Sequence, residues 1–287
     1  MSRLATRDLT VRFGGHVAVN AVTCAFEPGT VTAIVGPNGA GKTTYFNLIS
    51  GQLKASAGEV TLDGHDLSGM SASKRARAGL GRAFQLTNLF PRLTVLENIR
   101  LAVQATRAGG HRHGLNLWSI WSDHEGLTAR ADEVLAAVAL ADKEDELVAS
   151  LPHGDQRKLE VALLMALEPQ VFMFDEPTAG MSALEAPVIL NLIRQLKEDK
   201  SKTILLVEHK MDVVRELADR IIVLHNGALV ADGEPADVIA SPIVQEAYLG
   251  VSSSPSPSGG GRGRGHADPA GARPHPGLPP EGEGGKP

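Results

Sequence analysis

The chain has 287 residues, 43% of them apolar, and a formal net charge of −5. That is enough to bury the core of one large or two small domains, and the acidic balance leaves no electrostatic footprint for nucleic acid. Cys24 is the only cysteine, which excludes an internal disulfide and fits a reducing compartment. In chain order, residues 4–13 and 19–26 read as strands, and Thr30 to Val35 is a short β-rich run that ends in a glycine loop. Thr43 to Ser50 reads as a helix. The stretch from about 90 to 168 is Ala/Leu-rich, with a polar loop at 107–126, and is read as a helical insertion without a strand. Val171 to Phe174 and Thr203 to Val207 are apolar on both faces, as strands of a parallel sheet are. This alternation predicts an α/β domain over residues 1–250 with a mainly parallel sheet.

Residues 251–287 differ in kind. From residue 252 onward, 18 of 36 residues are Gly or Pro, and Leu278 is the only large aliphatic one. Such a segment buries too little apolar surface to offset ordering entropy and is expected to be a disordered tail. GRGRG at 261–265 is read as part of that inert tail. The N-terminal MSRLATRDLTVRF has no apolar core of a signal peptide. The best apolar candidate, Val161 to Leu167, is fenced by Glu160 and Glu168 and falls short of the roughly 20 residues a spanning helix needs. A membrane role would therefore run through a partner.

The glycine loop is GPNGAGKT at 36–43, a match to G-x-x-x-x-G-K-[ST]. Gly36, Gly39 and Gly41 let backbone N–H groups, with Pro37, Asn38 and Ala40 between them, turn inward around phosphate oxygens. The helix that follows points its positive end at the same anion. Lys42 would reach the β- and γ-phosphates of ATP, Thr43 would ligand Mg²⁺, and Thr44 lies in the same first turn. GLGRAF at 79–84 is no full dinucleotide fingerprint and is set aside. VFMFDEP at 171–177 is an apolar strand that ends in two acids. Asp175 can hold the Mg²⁺ shell and Glu176 can polarise an attacking water. ILLVEH at 204–209 ends in Glu208 and His209, and a histidine there can reach a γ-phosphate.

These pieces, in this order, resemble the nucleotide-binding domain of ABC transporters over about 1–250. The resemblance implies a P-loop NTPase core, a small antiparallel β subdomain and a helical insertion subdomain. It places Phe13 as the aromatic that stacks on adenine. Gln85, in AFQ, resembles the glutamine that touches Mg²⁺ and couples to the membrane subunits. It makes Glu176 the catalytic base, with Gln85 and His209 acting beside it. LPHGDQ at 151–156 stands where that family has LSGGQ, so Pro152, His153, Gly154 and Asp155 would face the ATP of the opposite subunit. Pro152 replaces the serine and offers neither hydroxyl nor N–H. Asp155 replaces the glutamine and is expected to cap a helix starting near it. Ser182, in AGMS, stands in place of the aspartate of the loop after the catalytic acid.

RAFQLTNLFPRLTVLENI at 82–99, VEHKMDVV at 207–214 and SPIVQEAYLG at 241–250 look like the branched-chain amino acid importer ATPases and their urea or short-amide relatives. This implies transmembrane permease subunits, a second and non-identical ATPase subunit, an indirect link to a substrate-binding protein, and a place on the cytoplasmic face of the membrane. The competing readings are a soluble ABC ATPase acting on DNA or ribosomes, which lacks a basic face here, and a regulatory ATP-binding module with little hydrolysis, which Pro152 and Ser182 suggest. His111, His113 and His124 read as a solvated loop, and Trp118 and Trp121 share one side if their segment is helical.

Overall fold

β1 (Leu4–Phe13) and β2 (His16–Phe26) form a hairpin turned at Gly14 and Gly15, and β1 also pairs antiparallel with β4 (Ala57–Leu62), which carries the short β5 (His65–Asp66). The computed structural model describes residues 4–83, 89–107 and 125–249, apart from the side chains of 107, 125, 127 and 247–249. The four strands form one sheet in the order β2-β1-β4-β5. A second sheet has six strands, built from β3 (Val31–Val35), β6 (Leu80–Ala83), β7 (Val171–Asp175), β8 (Thr203–Val207), β9 (Arg220–His225) and β10 (Ala228–Gly233). Its order is β10-β9-β3-β8-β7-β6, all parallel except the β10 edge.

All five residues of β8 are buried. Leu205 and Val207 face α1 (Lys42–Ser50) and the antiparallel sheet, while Ile204 and Leu206 face the other way. The second side is covered by α3 (Val95–Arg107), α4 (Glu125–Ala137), α5 (His153–Ala166) and α6 (Ala186–Glu198). A smaller core closes β3 and β9 against α7 (Met211–Leu217), α8 (Pro235–Ala240) and α9 (Pro242–Leu249). α2 (Ala72–Arg77) carries Arg75, whose buried guanidinium donates to the carbonyls of Leu48 and Ile49 at the end of α1, both at 2.7 Å. It thereby satisfies acceptors that a helix C-terminus leaves open.

The stretch read as a helical insertion holds α3, α4 and α5, with single 3-10 turns at Ala141–Lys143 and Val148–Ser150. Its start is set by a capping box, in which Thr94 N donates to Glu97 Oε2 at 2.7 Å and Glu97 N donates to Thr94 Oγ1 at 3.1 Å. One expectation needs correcting. The helix expected near Asp155 begins at His153, with Pro152 at the N-cap position. Asp155 therefore lies in the first turn and caps nothing. β9 is buried along its middle, and β10 is half-buried except at the exposed Asp232. Among the described residues no helix is long and apolar enough to cross a membrane.

Candidate functional site

The register of the six-stranded sheet decides what meets what. Ile34 of β3 pairs with Val207 of β8, and Val207 pairs with Asp175 of β7. The glycine loop after β3, the acids ending β7 and the Glu208–His209 pair after β8 thus leave the sheet side by side at its carboxyl edge, the place where open α/β sheets bind ligands.

The loop is shaped by close approach of backbones. A Cβ on Gly36 would lie 2.1 Å from the Leu224 carbonyl oxygen, and one on Gly41 would lie 2.6 Å from that of Ala18. Gly36, Gly39 and Gly41 all have positive φ, at 150°, 80° and 96°, which side chains disfavour. Gly227, in the turn between β9 and β10, donates its N–H to the Ala40 carbonyl at 3.0 Å, bracing the loop from outside. Ala40 is buried, whereas Asn38 and Gly39 stay exposed at the tip. Lys42 opens α1 with its side chain turned back, and its Nζ donates to the carbonyls of Gly36 at 2.7 Å and Pro37 at 3.0 Å. Burial pushes the Lys42 ammonium down from the usual lysine range, and nearby Glu176 and Asp175 pull it back up. Thr43 is exposed and Thr44 half-buried in the same turn.

Glu176 carries the clearest backbone signature. Its φ is +50°, in the left-handed region, which costs a non-glycine residue on the order of 1–3 kcal/mol. Neighbours hold it there, since Glu176 N donates to the Val207 carbonyl at 2.9 Å and the Glu176 carbonyl accepts from Ala179 N at 3.0 Å. Its carboxylate is 43% exposed and lies 3.5 Å from Nδ1 of His209. Glu208 behind them is buried. Its Oε2 accepts from the N–H groups of His209 at 2.8 Å and Lys210 at 3.1 Å, and its Oε1 accepts from Thr178 Oγ1 at 3.1 Å. One carboxylate therefore fixes the histidine's backbone to the loop after Glu176. Sequence had marked Glu208 only as a polar neighbour, and the burial that gives it this task was not legible there.

Asp175 is engaged on Oδ2 by Arg82 Nη2 at 2.8 Å, with both side chains under 10% exposed. Arg82 was read only as part of a longer string. Its place inside a strand otherwise poor in charge was the available signal. Thr43 and Asp175 offer a hydroxyl and a carboxylate oxygen, which suit a hard cation. Among the described residues no cluster of three His, Cys, Asp or Glu side chains could cage a metal. Such a pair fits a Mg²⁺ that takes its other ligands from phosphate and water. Phe13, 51% exposed, ends β1 opposite His16, three residues before Val19, whose side chain would lie 3.6 Å from a Cβ on Gly41. Gln85, His111, His113, His124, Trp118 and Trp121 lie outside the described residues.

Pro152, His153, Gly154 and Asp155 stand apart from this cluster, at the start of α5. Pro152 and His153 are exposed, and Gly154 and Asp155 are buried. Asp155 is gripped by Lys143 Nζ at 2.5 Å and Lys158 Nζ at 2.8 Å. Burial raises its carboxyl, but the two lysines together outweigh that and hold it below the usual range. A Cβ on Gly154 would lie 1.9 Å from Glu185 Oε1, so the Glu185 carboxylate rests against this glycine. Ser182 N donates to Glu185 Oε2 at 2.9 Å. The serine that replaces the expected aspartate thus opens an S-x-x-E turn.

A glycine loop between a buried parallel strand and a helix, beside the acidic end of a second strand, defines a nucleotide hydrolase of the P-loop kind. A profile of the ABC transporter family matches residues 19–179. High-affinity branched-chain amino acid transport ATP-binding protein LivG of Salmonella typhimurium is 37% identical over 249 residues, covering 86% of this chain and 97% of the relative. BraF of Pseudomonas aeruginosa, of the same description, is 37% identical over 254 residues, covering 87% and 99%. A solved ADP conformation of an ATP-binding cassette of an ABC transporter superposes with a TM-score of 0.73 at 30% identity, covering 88% of this chain and 100% of that one. The chain belongs to the ABC transporter family, as an ATP-binding subunit that hydrolyses ATP.

Proposed function

We propose that this chain energises uptake of branched-chain amino acids, working on the cytoplasmic face of a membrane against transmembrane permease subunits. The observation that carries this is the length of the likeness: relatives named for branched-chain amino acid transport match at 37% identity over 97–99% of their own length. A urea or short-amide cargo is the alternative within the same branch.

In this reading Lys42 exchanges its carbonyl partners for the β- and γ-phosphates, and the loop N–H groups and α1 hold the same anion. Thr43 and Asp175 hold Mg²⁺, which when bound neutralises charge developing on the phosphates. Glu176 orients a water and accepts its proton, and His209, fixed by Glu208, contacts the γ-phosphate. Phe13 supplies a face for adenine. The start of α5 is offered to the ATP of a second ATPase subunit, which is a different chain in this reading, and a substrate-binding protein acts at one remove.

The test is uptake of radiolabelled leucine, urea and acetamide by a strain lacking the gene. Leucine uptake is expected to fall and to return with the wild-type gene but not with Glu176→Gln. Unchanged leucine uptake together with lost urea or acetamide uptake would assign the cargo to the alternative.

A further inference from the structure

The Arg82 guanidinium is held at more points than the Asp175 ion pair needs. Its Nη1 donates to Asn47 Oδ1 at 2.6 Å, Ser50 Oγ at 2.9 Å and Gln52 Oε1 at 2.9 Å. Its Nη2 donates to Asp175 Oδ2 at 2.8 Å. The guanidinium carbon sits 5.0 Å from the centre of the Phe46 ring, within cation–π range. Asn47, Ser50 and Phe46 belong to α1, the helix that the phosphate loop opens, and Gln52 follows it directly. Arg82 itself lies on β6, one strand from Asp175, where it pairs with Met173. Planar forks of this kind fix direction as well as charge.

We propose that Arg82 is the positioning residue for Asp175: gripped from α1, it sets the orientation of the carboxylate at the end of β7, so that a divalent cation carried by ATP meets a preset oxygen. The inference rests on the assignment of Asp175 as a metal ligand. Arg82 pins Oδ2, and pinning one oxygen fixes the direction of the other. The phosphate-loop helix and the acidic strand are thereby locked in one relative position. A lysine would preserve the charge but could not span α1 and Asp175 at once.

The experiment uses the full chain and Mn²⁺ as the probe. Mn²⁺ affinity is read by loss of the free-ion paramagnetic resonance signal at saturating ATP. ATP affinity is read by calorimetry in EDTA. Arg82→Lys and Arg82→Met are expected to weaken Mn²⁺ binding by about tenfold or more, the worth of one charge-assisted hydrogen bond. Metal-free ATP affinity should stay within twofold. If Arg82→Met does not fold, Arg82→Lys carries the test alone. Mn²⁺ affinity within twofold of wild type in Arg82→Lys would overturn the inference, provided Asp175→Asn binds Mn²⁺ weakly. A parallel loss of metal-free ATP affinity would also overturn it, because Arg82 would then merely hold the fold. Unchanged Mn²⁺ binding in Asp175→Asn would instead remove the metal assignment on which the inference stands.

Discussion

The end of β7 and the start of α5 carry comparable acids, and they use them in opposite ways. At the end of β7, Glu176 is 43% exposed, on backbone in the left-handed region, with His209 open beside it. At the start of α5, Asp155 is buried between two lysines and Glu185 is folded against Gly154. One region keeps its charge available and accepts strain to do so. The other spends its charge on internal ion pairs and leaves only Pro152 and His153 exposed. The acids around the start of α5 are thus absorbed into the structure of this chain, and Glu176 at the end of β7 is not.

The sharpest way to break this contrast is at Glu176. Glu176→Gln keeps the left-handed backbone and its bonds to Val207 and Ala179 but removes the proton acceptor. ATP turnover is expected to fall by about 10²–10⁴-fold with ATP affinity preserved in calorimetry. Turnover within twofold of wild type would show that the strained glutamate is not the base.

The next effect concerns Pro152. At the N-cap it offers only its carbonyl, which accepts from Gln156 N at 3.0 Å. A serine there would add one hydrogen bond toward a charged phosphate, about 1.5–3 kcal/mol or roughly one to two powers of ten. Pro152→Ser in the Glu176→Gln background should therefore promote ATP-dependent homodimerisation on a sizing column. The proline form should stay monomeric, as expected of a chain that pairs with a different subunit. A stable homodimer of the proline form would count against a non-identical partner.

Gly154→Ala probes the contact between the two helices themselves. The new methyl displaces the Glu185 carboxylate and breaks its bond from Ser182. The atoms met are the far end of a flexible, solvent-reaching side chain, which can swing aside, so the melting temperature should fall only modestly. Adding Glu185→Ala should recover part of it, since the two changes share one contact. Additive losses would show that Glu185 is not what the glycine accommodates.

The glycine loop and the acidic end of β7 were legible in the sequence because their constraints are local. A loop needing glycine at Gly36, Gly39 and Gly41, and an apolar strand ending in Asp175 and Glu176, are written in consecutive residues. Arg82 and Lys143 were not legible, because each finds its acidic partner through tertiary packing, across β6 and β7 or between a 3-10 turn and α5. Asp155 was misread for the same reason. The type of residue suited an N-cap, but the helix starts two residues earlier, and the lysines that decide its role are remote or one turn on. Thr94 and Glu97 form a capping box that three-residue spacing alone could have revealed.

Asp155→Gln, which writes the family's usual residue into this position, should have the smallest effect and the most specific pH signature. Lys143 and Lys158 are 28% and 12% exposed, so both can turn to solvent when the carboxylate goes. Only a modest loss follows, about 1 kcal/mol at neutral pH, within the range for a partly exposed ion pair. The sign of the pH dependence comes from the carboxyl being held below its ordinary value. The folded state then binds its proton later than the unfolded chain, so the stabilisation is complete above the usual aspartate range and is lost as pH falls through and below it. Wild type should exceed the variant by a constant margin from pH 6 to 8, and the margin should close as acid is added, measured by urea unfolding at each pH. A margin that persisted in acid would mean that packing of the side chain, not its charge, holds the start of α5 against Lys143. The same variant should leave turnover by the complete transporter little changed if the start of α5 presents backbone to the partner's nucleotide, and should raise it if the missing glutamine is what the composite site lacks.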